Sequence, residues 1–301
     1  MSARIGAIAA AALIGGSLAA RAEAAASPWI GDANAAVRLL TATAATGAAR
    51  RLGAGIEFRL APGWHTYWRS PGDAGVAPRF DWRGSHNLAR ATLAWPAPRR
   101  FSQQGLDTIG YRGDVVLPVT VMPARPGRKL TLHLTLDYAA CAAICVPHHA
   151  VLTLALPAGP TRPTRQAAAI ARFAARVPED PKAAAIVLKR VALESESGRL
   201  RLRVRLASTG APFVAPDLFV EGAAGASFGR PEVVLSDHGR AAVLTVPVSG
   251  VRGADLSAEA LVLTLVDGRR AAEIPVLPSP AGGADAALRP SPSAVSSAPG
   301  R

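Results

Sequence analysis

The stretch Leu130-Thr-Leu-His-Leu-Thr-Leu-Asp-Tyr138 places an apolar side chain at every even position and a more polar one between each pair. A period of two marks a strand with one buried face, because successive side chains leave a pleated chain on opposite sides. A second run, Val151 to Leu156, alternates in the same way, with Leu152, Leu154 and Leu156 on one side. Together they predict an antiparallel hairpin whose connecting loop is Ala139 to Ala150. Both cysteines of the chain, Cys141 and Cys145, fall in that loop.

The same pattern extends in both directions. From about residue 30 to 158 the chain reads as strands broken by Pro/Gly turns. A Pro-rich break, Pro157 to Pro163, precedes Thr164 to Val177, where Ile170, Phe173, Ala174 and Val177 recur at helical spacing until Pro178 stops them. Strands resume near 185: Leu200, Leu202, Val204 and Leu206 alternate with Arg199, Arg201, Arg203 and Arg205, and Asp267-Gly268 marks a tight hairpin between Leu261 and Val276. The 301 residues therefore predict an all-β chain of two β-sandwich domains, 27–158 and 185–278, joined by a linker, 159–184, that holds a short helix. The tail, 279–301, is rich in Ala, Pro, Ser and Gly, lacks material for a core, and is expected to be disordered.

Residues 1–26 carry Arg4, an Ala/Ile/Leu stretch and the small-residue site Ala22-Glu23-Ala24, the layout of a cleaved secretory signal peptide. No later run reaches the roughly 18 apolar residues that a membrane helix needs. The net charge of +13 raises the question of nucleic acid, yet 31 of the 34 basic residues are Arg and they are scattered rather than clustered with aromatics, so no nucleic-acid partner is expected. Hydrolase and nucleotide motifs are absent: there is no Gly-x-Ser-x-Gly, no His-Glu-x-x-His and no phosphate-cradling Gly loop. The five Trp all precede residue 100 and read mainly as core, with Trp64-His-Thr-Tyr67-Trp68 crowded after the Gly63 turn.

An exported chain with two cysteines most simply carries one disulfide. As a staple, a loop this small contributes only roughly 2 kcal/mol, against about 4.7 for a loop of 100 residues. A small exposed bridge suits thiol exchange better, with a reduction potential above the roughly −300 mV typical of structural disulfides. Two other readings stay open. Cys141, Cys145, His148 and His149 are the right types to bind Zn(II) or copper, although Pro147 crowds them into one loop. A purely structural bridge in an adhesion or assembly module is the third.

Three segments carry a family resemblance: Gly63-Trp-His-Thr-Tyr-Trp-Arg-Ser-Pro-Gly-Asp73, Ile109-Gly-Tyr-Arg-Gly-Asp-Val-Val-Leu-Pro-Val119 and Tyr138-Ala-Ala-Cys-Ala-Ala-Ile-Cys-Val-Pro147. They resemble the N-terminal periplasmic domain of the thiol:disulfide interchange protein DsbD and, more closely, that of its relative, the copper-sensitivity suppressor ScsB. Ala215 to Gly222 and Asp267 to Ala271 resemble the second N-terminal domain of the ScsB-like group. The resemblance implies immunoglobulin-like sandwiches and a periplasmic protein-disulfide reductase-type carrier, with Cys141 and Cys145 as its redox pair and no cofactor beyond it. Cys145 would face the partner thiol and Cys141 would be its bridge mate. It further implies Tyr67 as an aromatic beside the site and Asp107 to Tyr111, with Ile109, as a cap loop over the cysteines. Electrons would come from a membrane-embedded thiol reductase and pass to thioredoxin-like and other oxidised periplasmic proteins. The alternative is periplasmic copper binding in copper tolerance, through the same cysteines with His148 and His149. The cysteines here are closer together than in DsbD, and the cap segment is poorer in aromatics.

Overall fold

The computed structural model describes residues 25–103, 105–257, 259–280 and 296–297, so the signal peptide expected over 1–26 lies almost wholly outside the described residues. In chain order the first domain contributes β1 (Ile30–Gly31), β2 (Ala35–Thr41), β3 (Leu52–Leu60), β4 (His65–Gly72), β5 (Arg79–Asp81), β6 (Leu88–Leu93), β7 (Arg99–Gln103), β8 (Leu106–Arg112), β9 (Val115–Pro123), β10 (Leu130–Cys141) and β11 (Cys145–Leu156), then helix α1 (Ala167–Ala174). One sheet runs β1-β2-β3-β9-β6 and the other β11-β10-β4-β8-β7, with β5 also pairing on β10.

The leucine alternation becomes the inner wall of the second sheet. Leu130, Leu132, Leu134 and Leu136 are buried opposite Leu156, Leu154, Leu152 and Ala150, and they share a core with Leu39, Ile56 and Leu117 of the other sheet. Each such side chain contributes about 1.5–3 kcal/mol through burial.

The hairpin departs from the expected 139–150 loop, because the two strands continue until only Ala142, Ala143 and Ile144 remain as the turn. Pro147 does not interrupt β11, since that strand forms the sheet edge, where proline is tolerated. The cysteines therefore stand at the facing ends of two strands.

Helix α1 forms inside the expected 164–177 stretch, but it is not a free linker. Ile170 and Phe173 are buried in the first-domain core, and a side chain at Gly55 would come within 3.3 Å of Ile170. Burial of its apolar face makes the helix part of the first domain, which thus extends past residue 158.

The second domain comprises β12 (Ile186–Glu196), β13 (Arg199–Ser208), β14 (Asp217–Glu221), β15 (Ser227–Phe228), β16 (Glu232–Ser236), β17 (Ala241–Ser249), the short helix α2 (Gly253–Ser257), β18 (Leu261–Asp267), β19 (Arg270–Val276) and β20 (Ser279–Pro280). A sheet ordered β15-β17-β13-β12-β20, with β16 also on β17, accompanies the three-stranded sheet β14-β18-β19. Leu202, Val204 and Leu206 point into the core between them. The hairpin closes with Asp267 opposite Arg270 and Gly268 at φ +65°, one position along from the expected Asp267-Gly268 turn. The expected disorder of the tail does not begin at 279, because Ser279 and Pro280 pair in parallel with β12 and Ser296 and Ser297 pair with β6. The remainder of the tail lies outside the described residues.

The two sandwiches share packing. Phe219 of β14 is buried in the first-domain core, 5.9 Å from the Trp68 ring. Arg69 reaches across to Glu221 at 2.7 Å and Glu273 at 2.5 Å, and Arg100 reaches Asp217 and the Leu218 carbonyl. Among the described residues no helix is long and apolar enough to cross a membrane.

Candidate redox site

Strand β4 alternates like β10. Trp68 joins the sandwich core, whereas His65 and Tyr67, on the opposite parity, go to the outer face of the sheet. Cys141 ends β10 directly opposite Cys145 on one side and His65 on the other. The two cysteines form a disulfide with their Cα atoms 4.1 Å apart. It sits outside the main core in a small cluster with Tyr67 and Ala139.

The bond is lopsided. Cys141 is 1% exposed, while Cys145 lies exposed beside Ile144, itself 67% exposed. The Tyr67 hydroxyl donates to Cys141 Sγ at 2.8 Å and lies 3.4 Å from Cys145 Sγ. Burial pushes the Tyr67 phenol above its ordinary value, so the group keeps its proton and serves as donor. Gly75 packs flat on that ring, where a Cβ would sit 2.7 Å from Tyr67 Cδ1, and the Ala74 carbonyl lies 3.4 Å from the hydroxyl. The Gly72–Gly75 turn thus holds Tyr67 over the sulfurs.

His65, across the sheet from Cys141, is 2% exposed, and neither ring nitrogen has a hydrogen-bond partner. Its ring meets Tyr67 edge-on at 5.4 Å and Phe101 at 5.5 Å. Arg112 stands opposite on β8, with its guanidinium 4.3 Å over Phe101. Burial, with a smaller push from Arg112, holds the imidazole below its ordinary value and therefore neutral at pH 7. An unpaired buried polar group costs about 1–3 kcal/mol.

The structure gathers some of the expected residues and separates others. Cys141, Cys145 and Tyr67 are together. Asp107, Ile109 and Tyr111 do not form a cap loop: they belong to β8, a strand hydrogen-bonded between β4 and β7. Ile109 and Tyr111 face the sandwich core, where the Tyr111 hydroxyl donates to the Pro96 carbonyl at 2.7 Å. Asp107 instead joins an ion-pair network with Arg100 and Arg230 at the seam between the domains. The segment's apolar alternation, read as a loop, is a strand's.

The proposed ligand set Cys141, Cys145, His148 and His149 does not converge. Pleating sends His148 to the face opposite the cysteines, where it stacks on Tyr138 at 4.8 Å. His149 shares the cysteine face but stands four residues along β11, about 13 Å from Cys145, and pairs with Asp137 at 2.6 Å. Among the described residues no group of three or more His, Cys, Asp and Glu side chains is placed to hold a metal ion.

His65, Ala74 and Gly75 escaped the sequence reading. The signal for His65 was present: treating Trp64 to Trp68 as an alternating strand puts His65 on the face of Tyr67. What the sequence does not carry is which strand lies beside β10.

Residues 36–157 match the family described as thiol:disulfide interchange protein DsbD, N-terminal. Residues 176–281 match a domain of unknown function, DUF8393. Among solved structures, the crystal structure of the N-terminal periplasmic domain of ScsB from Proteus mirabilis is similar, with a TM-score of 0.67 and 25% sequence identity, over 85% of this chain and 98% of that one. A comparison with curated proteins finds no match.

Proposed function

Since residues 36–157 belong to the DsbD N-terminal domain family, we propose that this protein is a periplasmic carrier of electrons that exchanges the Cys141–Cys145 disulfide with partner thiols. It is exported by the leader over residues 1–26, recharged by a membrane-embedded thiol reductase, and discharged onto thioredoxin-like and other oxidised proteins of the periplasm. The observation that carries this reading is the asymmetry of the bond: Cys141 is buried under a phenol and Cys145 is an exposed residue.

Recharging begins when a partner thiolate attacks the Sγ of Cys145, the exposed cysteine, and the electron pair of the broken bond leaves on Cys141. The Tyr67 hydroxyl already donates to that sulfur and stabilises the thiolate as it forms. A second partner thiol then displaces Cys145, and the partner keeps the new disulfide. Discharge runs in the opposite sense. The Cys145 thiolate attacks a client disulfide, and Cys141 closes the intramolecular bond while the client leaves reduced. The two cysteines carry two electrons and need no further cofactor.

The test is trapping in periplasmic extracts. Cys141→Ser leaves Cys145 able to attack but unable to be released, so it should accumulate a mixed disulfide with a thioredoxin-like or membrane partner. Cys145→Ser leaves only the buried sulfur and should accumulate far less. Adducts on neither variant, or only on Cys145→Ser, would overturn the reading.

A further inference from the structure

His65 is an anomaly as a structural residue: a nearly inaccessible imidazole with both nitrogens unpaired, which folded proteins rarely keep without a use. Its register position puts it directly opposite Cys141, and side chains so paired have Cβ atoms about 4.5–5.5 Å apart on one face of the sheet. Oxidised Cys141 has no proton to offer it. Once the bond opens, the Cys141 sulfur is no longer tied to Cys145 and becomes a buried thiol beside an imidazole with a free lone pair.

Building on the exchange reading above, we infer that His65 accepts the proton of the Cys141 thiol when Cys141 closes the disulfide. In that step the Cys141 S–H proton passes to an imidazole nitrogen, and the freed electron pair forms the bond to Cys145 Sγ. The Cys145–client bond breaks, and its electron pair departs on the client thiolate, which serves as the oxidant's leaving group. The imidazolium then gives its proton to solvent or to that thiolate. The opposite step returns a proton to Cys141 by the same route, with the Tyr67 hydroxyl already in place on the sulfur.

The surroundings fit a base rather than an acid. The titratable or charged groups facing His65 are Tyr67 on its own strand, Cys141 on β10 and Arg112 on β8, while β7 presents the Phe101 ring. Arg112 and burial both disfavour the imidazolium, which keeps the acceptor nitrogen free at neutral pH.

The experiment uses the reduced full chain and a symmetric aromatic disulfide that releases a coloured thiolate at each step. The first release reports attack by Cys145, and the second reports closure by Cys141. His65→Gln and His65→Phe should slow the second release at pH 7 by at least about 10-fold, toward the range of general-base effects, and leave the first within about twofold. In the wild type the second release should rise with pH through the histidine range and then level. In both variants it should keep rising into the free-thiol range near pH 8.5. Arg112→Gln, an exposed substitution, should move the wild-type rise to higher pH, because the imidazole then binds its proton more readily; this holds the test if the His65 variants misfold. An unchanged second release, or equal slowing of both, would overturn the role of His65. A wild type that releases only the first thiolate would overturn the exchange reading itself, and this inference with it.

Discussion

At the scale of single residues, the sulfurs are governed by two neighbours on β4. Removing the Tyr67 hydroxyl deletes a bond to a group that becomes anionic, an interaction of about 1.5–3 kcal/mol. Tyr67→Phe should therefore slow reduction by dithiothreitol at least about 10-fold, measured by quenched alkylation, and an unchanged rate would show that the hydroxyl does not act on Cys141. His65 gives the oxidised protein a pH dependence of its own. Its folded value lies below the ordinary 6.5, so above that pH both folded and unfolded forms are neutral and its environment is tolerated in full. As pH falls below about 6.5 the unfolded chain takes up a proton that the folded chain refuses, and stability should drop by up to about 1.4 kcal/mol per pH unit. Denaturant titrations at pH 7.5 and 5.5 should show the loss in the wild type and a smaller one in His65→Gln. Both cysteines and Tyr67 were legible in the sequence, the latter through family resemblance. His65 was not, because a histidine next to Trp64 and two residues before Tyr67 looks like packing until the adjoining strand is known.

At the scale of elements, the period-two leucines identified β10 and β11 because burial of one face is written directly in residue order. Residue order does not carry a role that a strand's neighbours decide. Asp107 to Tyr111 was expected to be a cap, yet Ile109 and Tyr111 lie in the core, 6% and 7% exposed. Shortening that segment should sharply lower the melting temperature instead of merely speeding alkylation. Helix α1 was legible from the spacing of Ile170 and Phe173, but not its seat on β3 and β9, for helical periodicity shows an apolar face without showing what covers it. Phe173→Ala should cost about 3–5 kcal/mol, read from the urea midpoint, and a change below about 1 kcal/mol would return the helix to the status of a linker.

At the scale of the whole molecule, the sequence divided the chain into two sandwiches but did not reveal how firmly they are joined. The charged residues of the seam, Arg69 with Glu221 and Glu273, are far apart in the chain and ordinary in type. The carboxylates raise the affinity of Arg69 for its proton despite burial. Since the pairs are only partly desolvated, Arg69→Ala should cost on the order of 2 kcal/mol and separate one melting transition into two by calorimetry; a single unchanged transition would mean that Phe219 packing and the Arg100 and Arg230 pairs join the domains without it. The disulfide, by contrast, lies off both cores and spans a three-residue turn. A thermodynamic cycle converts that placement into a property of the working protein. The gap in folding stability between oxidised and reduced chains equals the gap in reduction potential between folded and unfolded ones, and a loop so small sets it at only about 2 kcal/mol, or about 40 mV. Fold and redox state are therefore almost independent ledgers, and the molecule can be emptied and refilled many times without loosening the scaffold that presents its reactive sulfur.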